Sequence, residues 1–338
     1  VFSPDDKYLA AVCMRALRVK VWDVRKILSE SPALGYIRMV KAAPDLKNML
    51  VDLHNSENPA LVDMKTGRPL VRYQGFIVES FPQHQCVQFS PDGQFFTIRA
   101  IPAPGVRTTN VEIRATRDGK LIARLTGHTA AISATALSPD GRTLVTVDID
   151  GVIKFWETAT WREFASLRFG ADLITNIEFS ADSRRLLFSG LSAVIQVWDA
   201  SSRKHLFDLR GHRGWTMYTQ YSPDGKMIAS CSWDFTIKLW DAETGRELRT
   251  LKGHANSVYH LAFTPDGKRL ASVGDDMTVR IWDVRTGMEL TALRGHTGKI
   301  WRVVFTFDGR SLVSSSEKEM KIWHAATEDE VRALPVSR

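Results

Sequence analysis

Short runs of alternating apolar and polar residues, separated by turn sequences, follow one another along the chain. Residues 212–253 contain four such runs: Met217–Ser222, Met227–Ser232, Thr236–Trp240 and Glu247–Leu251. Each run has the length of a strand and is too short for a packed helix, and the third is rich in β-branched and aromatic residues. No helical periodicity accompanies them. The pattern predicts an all-β protein made of four-stranded units.

The same pattern returns at a fixed period along the chain. Tryptophans lie 42 residues apart at Trp156, Trp198, Trp240 and Trp282, and histidines occupy the same phase at His128, His212, His254 and His296. Turn sequences such as Ser222-Pro223-Asp224-Gly225 also recur in phase. Such a period is typical of a repeat architecture. We expect one repeat domain over residues 1–338, with units at about 1–36, 37–75, 76–127, 128–169, 170–211, 212–253, 254–295 and 296–338.

Unit six carries the residues that connect the repeat to a known family. The string from Gly211-His212 through Ser230 and Asp234 to Trp240-Asp241 resembles the WD-repeat β-propeller family. The resemblance is strong from about residue 126 and weaker before it, where a Pro-rich insertion at Pro102 and Pro104 predicts an enlarged loop. It implies a β-propeller of four-stranded antiparallel blades around a central channel. Eight units favour an eight-bladed ring; a seven-bladed ring of units two to eight, with unit one in a preceding propeller, is the alternative.

The resemblance also implies a structural hydrogen-bond tetrad in three units. The residues are His128, Thr146, Asp150 and Trp156 in unit four; His212, Ser230, Asp234 and Trp240 in unit six; and His254, Ser272, Asp276 and Trp282 in unit seven. An indole donor, a hydroxyl, an imidazole and a carboxylate form a self-consistent set of partners. We expect each tetrad to tie the loop that enters a blade to the hairpin inside it.

Other units depart from this set. Unit five has Gly170 at the His position and Ser192 at the Asp position, so it cannot form a tetrad. Unit eight offers Glu317 or Lys318 in place of the Asp. Units one to three have no complete set, and only the Trp22-Asp23 pair survives in unit one. We therefore expect the early blades to be less rigid than blades four, six and seven.

Composition and motifs narrow the classes of function. The chain is 44% hydrophobic and 25% charged, with a net charge of +7 and no apolar stretch long enough to span a bilayer. The basic residues form no dense tract, so we expect no nucleic-acid partner. Three widely spaced cysteines indicate a reducing, cytoplasmic location. No cofactor motif is present, and no spacing suits a zinc site, so we expect neither cofactor nor metal.

A Ser-His-Asp trio invites a hydrolase hypothesis, in which Ser230 attacks, His212 is the base and Asp234 orients it. Catalysis needs one triad with one oxyanion hole, whereas this chain repeats the trio at a fixed period with a Trp attached. We therefore interpret the trio as structural and expect no catalytic residues in this chain.

The leading prediction is a non-catalytic scaffold for protein or peptide partners. The resemblance implies that the residues three and five positions after each repeat His lie on the top rim of blades six to eight, near the channel, and that one hairpin residue points to the same surface. The predicted partner-binding residues are Trp215, Met217, Trp233, Tyr259, Lys299 and Trp301. The aromatics and Met217 would anchor apolar groups, and Lys299 would attract an acidic group on the partner.

The alternative is a regulatory or sensor domain of a larger signalling enzyme. The string Trp282-Asp283-Val284-Arg285-Thr286-Gly287 resembles repeats of bacterial multidomain proteins in which propellers follow protein kinase domains. A Ser/Thr kinase domain or another upstream domain would then precede Val1.

Overall fold

The described part of the chain is interrupted by several gaps. In the computed structural model it comprises residues 8–13, 18–23, 37–42, 48–53, 60–63, 69–72, 87–99, 109–170, 173–305, 309–316 and 318–324. Within these ranges the chain forms eight antiparallel sheets and no helix. We number the sheets one to eight in chain order. The all-β prediction is confirmed, whereas the number of blades in a closed ring stays a prediction.

Sheets one to three contain the first ten strands. Their bounds are β1 (Tyr8–Cys13) and β2 (Arg18–Asp23) in sheet one; β3 (Ile37–Ala42), β4 (Asn48–Leu53), β5 (Ala60–Asp63) and β6 (Pro69–Arg72) in sheet two; and β7 (Val87–Phe89), β8 (Phe95–Arg99), β9 (Val111–Ala115) and β10 (Leu121–Leu125) in sheet three. The insertion at Pro102 and Pro104, and the side chain of Trp22, lie outside the described residues. The expected lower rigidity of the early blades stays a prediction.

Sheets four to eight contain the remaining strands. Their bounds are β11 (Ile132–Leu137), β12 (Thr143–Asp148), β13 (Val152–Glu157) and β14 (Arg162–Arg168) in sheet four; β15 (Ile174–Phe179), β16 (Arg185–Gly190), β17 (Val194–Asp199) and β18 (His205–Arg210) in sheet five; β19 (Thr216–Tyr221), β20 (Met227–Ser232), β21 (Thr236–Asp241) and β22 (Glu247–Lys252) in sheet six; β23 (Val258–Phe263), β24 (Arg269–Gly274), β25 (Val279–Asp283) and β26 (Glu289–Leu293) in sheet seven; and β27 (Ile300–Phe305), β28 (Ser311–Ser316) and β29 (Met320–His324) in sheet eight. The strands of sheet six lie within one residue of the predicted runs.

Strands follow one another in chain order across each four-stranded sheet from four to seven. The first strand is buried and the fourth is largely exposed, as β23 and β22 illustrate. The turn sequences close the first hairpin of each sheet. In sheet six the Ser222 hydroxyl donates to Asp224 Oδ1 over 2.6 Å, and Gly225 takes a φ of +70°, which favours glycine.

The hydrophobic core lies between consecutive sheets rather than inside any one of them. One cluster combines Ile237 and Leu239 of sheet six with Leu261 and Trp282 of sheet seven. Equivalent clusters join sheets three and four, four and five, five and six, and seven and eight. A single sheet would leave both apolar faces in water, so each repeat depends on its neighbours.

Antiparallel order gives every sheet two different ends. The turn between the second and third strands lies at the same end as the loop that enters from the preceding sheet; we call this end the top rim. The turns between the first and second strands and between the third and fourth lie at the opposite end, the lower rim.

Candidate functional site

In sheet six, four polar side chains join the entering loop to the two central strands. They are His212, Ser230, Asp234 and Trp240. The His212 Nδ1–H donates to Asp234 Oδ2 over 2.8 Å, and the Ser230 hydroxyl donates to His212 Nε2 over 2.8 Å. Trp240 Nε1–H donates to the same hydroxyl oxygen over 2.8 Å. This chain of bonds fixes the imidazole tautomer and leaves no ring nitrogen free.

Sheet seven repeats this geometry 42 residues later. His254 lies 2.8 Å from Asp276 Oδ2 and 2.7 Å from Ser272 Oγ, which also accepts from Trp282 Nε1–H over 2.8 Å. The second carboxylate bond goes to the backbone: Asp276 Oδ2 accepts from the N–H of Ala255, over 3.0 Å. The carboxylate therefore holds the entering loop through both the side chain and the backbone.

Hydrogen bonding determines the charge state of these carboxylates. Burial raises the pKa of Asp234, but the bonds from His212, from Thr236 and from the backbone N–H of Arg213 outweigh burial and hold that pKa below its ordinary value. The pKa of Asp276 is lowered in the same way, chiefly by His254. Both residues are therefore carboxylates at neutral pH and act as acceptors.

Sheet four forms the tetrad with a different aspartate from the one predicted. His128 Nδ1–H donates to Asp148 Oδ2 over 2.7 Å, so the assignment of Asp150 is wrong. Thr146 Oγ1 lies 2.7 Å from His128 Nε2 and accepts from Trp156 Nε1–H over 2.9 Å. Asp148 is the last residue of β12, and its Oδ1 also accepts from the backbone N–H of Asp150. In sheet four one carboxylate thus accepts both from the imidazole and from the backbone of the turn. In sheet six these two acceptor roles are divided between Asp234, which bonds to His212, and Ser232, which accepts from the backbone N–H of Asp234.

Sheet eight replaces the aspartate with Glu319, which is neither of the two predicted residues. Its Oε1 accepts from the backbone N–H of Thr297 over 2.9 Å and lies 3.6 Å from His296 Nδ1. Lys318 instead donates to the carbonyl of Thr297, and Glu317 lies outside the described residues. Burial lowers the pKa of His296 to about 4, and the proximity of Glu319 only partly opposes this shift.

The buried tetrads leave no accessible nucleophile. The side chain of Ser230 is completely buried, and its oxygen is already bonded to both His212 and Trp240. A substrate therefore cannot reach the hydroxyl. Within the described ranges no group of three or more His, Cys, Asp or Glu side chains is placed to hold a metal ion. No helix in the same ranges is long and apolar enough to cross a membrane.

Two of the predicted rim tryptophans are exposed and touch each other. Trp215 is 41% exposed and Trp233 is 39% exposed, and their ring centroids lie 4.4 Å apart at an interplanar angle of 37°. A backbone bond from Trp233 N–H to the Trp215 carbonyl holds the turn against the entering loop. The pair forms one apolar surface on the top rim of sheet six.

The predicted exposure of Met217 and Tyr259 is wrong. Met217 is 3% exposed and Tyr259 is 5% exposed, and both belong to the core cluster between sheets six and seven. Tyr259 stacks on Trp301 of the next sheet with centroids 4.5 Å apart, and Trp301 is partly buried against the same cluster. The residue five positions after each His is the second residue of the inner strand. Its side chain points between sheets because the strand carries a register shift at that point.

Lys299 is exposed, but its charge is used within the protein. Its Nζ lies 3.0 Å from Asp275 Oδ1, so it links sheet eight to the top rim of sheet seven. The predicted role of attracting an acidic partner therefore finds no support in this geometry.

Comparison with known families identifies the repeat. The family described as WD domain, G-beta repeat matches residues 119–157, 203–241, 245–283 and 287–324. These four segments contain the Trp of sheets four, six, seven and eight. The chain therefore carries four WD repeats.

The matched WD repeats leave out residues 158–202, the interval that holds most of sheet five. Sheet five has no tetrad: Trp198 Nε1–H donates to Gln196 Oε1 over 2.9 Å, and Phe188 occupies the position of Ser230. Between residues 119 and 324, the one long interval without a family match is thus the interval without the hydrogen-bond set.

Similar proteins carry WD repeats in different contexts. An uncharacterized WD repeat-containing protein of Synechocystis is 31% identical over 147 residues, which is 43% of this chain and 39% of that protein. Protein groucho of Drosophila melanogaster is 28% identical over 165 residues, 46% of this chain and 21% of that protein. An NAD(+) hydrolase of Actinoplanes is 61% identical over 33 residues, 10% of this chain and 5% of that protein. The chain spans less than half the length of each of these relatives.

Two exposed residues of the WD-repeat rim were missed by the sequence analysis. Phe235 and Met277 are exposed, and they adopt φ values of +69° and +59°. Gly151 holds the equivalent position in sheet four at +76°. The signal was available, because a glycine in one repeat and a bulky residue at the same position of another indicate a left-handed turn residue under strain.

Proposed function

We propose that this WD-repeat chain is a non-catalytic interaction scaffold whose top rim at sheets six and seven binds a protein or peptide partner. The observation that supports it most directly is the pair of exposed, contacting rings of Trp215 and Trp233. Tryptophan is the residue most enriched among interface residues that dominate binding energy. The partner would insert an apolar segment against this pair.

Backbone strain beside the pair supports the same proposal. Phe235 and Met277 occupy left-handed positions, at a cost of about 1–3 kcal/mol each for a residue other than glycine. Their side chains are exposed, so burial does not offset this cost. Binding of a partner is a function that would retain bulky apolar residues at such positions.

The position of the pair within the repeat also favours a binding role. Equivalent positions in sheet four hold Ala131 and Ile149, and those in sheet seven hold Ser257 and Asp275. The hydrogen-bonded framework, by contrast, is nearly the same in these three sheets. The aromatic pair is therefore a local addition to sheet six rather than a requirement of the fold.

The test is selective loss of binding. The full chain and a Trp215→Ala/Trp233→Ala variant are immobilised, and proteins captured from a lysate of the native host are quantified by mass spectrometry. Leu290→Ala, which removes an equally exposed apolar side chain from an outer strand, is the control. We expect the double variant to capture about 30-fold less of its principal partner, as is typical when hot-spot residues are removed. Its melting temperature should be unchanged. Equal capture by the double variant and the wild type would overturn the proposal.

A second candidate function rests on one of the relatives. The match of 33 residues lies within a protein named as an NAD(+) hydrolase, so similar repeats occur in a chain that also has an enzymatic activity. On that basis we propose, as the second candidate, a regulatory repeat array within a larger enzyme. Translation of the coding sequence that flanks this segment tests it: an adjoining catalytic domain is expected, and flanking sequence without one would contradict it.

A further inference from the structure

An apolar groove opens on the lower rim between sheets six and seven. It has a volume of about 560 Å³, and its apolar lining includes Met227, Leu239 and Leu248. Leu248 and the basic side chains around the groove are exposed to solvent. The groove is distinct from the top rim, since its walls come from the turns at the opposite ends of the strands.

Three cations surround this groove without forming a close ion pair. Among the described residues, no carboxylate lies within 4 Å of the side-chain nitrogens of Arg249, Lys268 or Arg285. Asp283 also lines the groove, but its Oδ1 accepts from the backbone N–H of Thr286 over 2.6 Å and from its hydroxyl over 2.7 Å. This carboxylate is hydrogen-bonded within its own turn, and the charge of Arg285 also helps to lower its pKa. The three cations still outnumber this single carboxylate along the groove lining.

The preceding interface, between sheets five and six, is sealed at the equivalent positions. Arg185 stands where the groove has Met227, and it forms an ion pair with Glu243 over 2.6 Å. Arg185 also donates to the Ala242 carbonyl, which closes the lower rim. Glu243 is the equivalent of Arg285. At the groove, this arginine–glutamate bridge is replaced by Met227 and by Arg285, which forms no ion pair within 4 Å among the described residues.

An aromatic ring fills the rest of the sealed interface. Phe207 packs so closely on Gly245 that a Cβ added there would lie 2.6 Å from the ring. At the groove the corresponding pair is Arg249 and Gly287, and an added Cβ would meet the Arg249 stem at 2.9 Å. The aliphatic stem of Arg249 lines the wall, whereas the guanidinium group lies at the solvent edge.

We propose that this groove binds an acidic peptide segment that carries a large apolar side chain. The apolar lining between Met227 and Leu239 receives the side chain, and Arg249, Lys268 and Arg285 pair with carboxylates on either side of it. The open rim suits a peptide that lies across the surface, because a small molecule there would keep much of its own surface in water. This surface is independent of the top rim, so the chain would hold two partners at once.

Two matched charge reversals test the proposal. The probe is a fluorescein-labelled peptide in which a leucine–phenylalanine pair is flanked by glutamates, and binding to the full chain is measured by fluorescence polarisation. Lys268→Glu reverses the charge at the groove. Lys226→Glu makes the same change at the equivalent turn of sheet six, beside the sealed interface. We expect Lys268→Glu to weaken binding about tenfold and Lys226→Glu to change it less than about twofold.

A second variant closes the groove by placing an ion pair across it. Met227→Arg with Arg285→Glu copies the Arg185–Glu243 bridge into the open interface, and we expect the peptide to lose saturable binding while the melting temperature is kept. Equal effects of the two lysine variants would overturn the proposal. Unchanged affinity for a peptide with glutamines in place of glutamates, or undiminished binding to the bridged variant, would overturn it as well.

Discussion

Sheets five and six solve the same packing problem in two ways. In sheet six Trp240 is fixed by a polar network through Ser230 and His212. In sheet five Phe188 replaces the serine, and its ring lies 6.0 Å from that of Trp198 in an edge-to-face arrangement. Phe169 packs against both rings, and the indole N–H is satisfied by a glutamine on its own strand.

The comparison shows that the repeated tryptophan needs an acceptor for its indole N–H and close packing around its ring. It does not require the His-Ser-Asp network in particular. Sheet five lacks the tetrad yet keeps four strands and a buried interface with sheet six. The Ser-His-Asp set is therefore one of at least two structural solutions among the sheets that the structure describes. Function is better sought in residues that differ between repeats at exposed positions.

The largest expected effect comes from removing the tryptophan in each sheet. Trp240→Ala removes a fully buried side chain and should cost about 3–5 kcal/mol of unfolding free energy. Trp198 is only partly buried, so Trp198→Ala should cost about half as much. Urea denaturation followed by circular dichroism measures both. A larger loss in sheet five would show that the aromatic cluster, and not the tetrad, is the stronger of the two.

The second-largest effect is expected from removing the Ser230 hydroxyl, which lies at the centre of the network. Ser230→Ala leaves His212 and Trp240 without their shared partner and should cost about 1–3 kcal/mol. The control is Ser192→Ala, at the Asp position of sheet five, where the change should stay within about 0.5 kcal/mol. Similar losses in the two variants would contradict the special role of the tetrad serine.

Acid should weaken the hydrogen-bond network in sheet eight, because that network contains His296. Sheet five has Gly170 at the corresponding position, so it has no imidazole there to protonate. His296 has a pKa of about 4 in the folded protein, because burial disfavours its charged form, against about 6.5 in the unfolded chain. The unfolded state thus binds more protons between these values, so the contribution of His296 is complete above pH 6.5 and is lost as the pH falls toward 4. An NMR titration of the imidazole should give a midpoint near 4; a midpoint near 6.5 would contradict the buried geometry.

The smallest effect concerns the strained turn residue. Phe235→Gly relieves a φ of +69° and should stabilise the protein by about 1 kcal/mol. Ala193 has the equivalent position in sheet five with a negative φ, so Ala193→Gly should destabilise by a similar amount through the entropy of the unfolded chain. Thermal unfolding of the two variants compares the signs directly. If both variants changed the stability in the same direction, the result would contradict the idea that backbone strain at the top rim is retained for binding.

Much of the fold could be predicted from the sequence because its signals are local. Strand length, the turn residues at Ser222 and Gly225, and the 42-residue spacing each depend on a few neighbouring positions. The choice between Asp148 and Asp150 could not be made in this way, since the two residues lie two positions apart at the end of β12 and only the turn geometry decides which of them faces His128.

The direction of side chains on the inner strands also could not be predicted from the sequence. Counting from His212 places Met217 near the rim, but the register shift between Thr216 and Tyr218 turns its side chain into the core. The pairing of Lys299 with Asp275 joins two sheets, and no repeat pattern encodes it. The lower-rim groove likewise depends on contacts between neighbouring repeats.

The central claim is that the tetrads hold the fold while the exposed tryptophans bind the partner. One experiment separates the two roles: melting temperature and partner capture are measured together for Ser230→Ala and for Trp215→Ala/Trp233→Ala. We predict that the serine variant melts at a lower temperature but still captures the partner below that temperature, while the tryptophan variant melts normally and captures little. A serine variant of normal stability that has lost capture, beside a tryptophan variant that still binds, would contradict it.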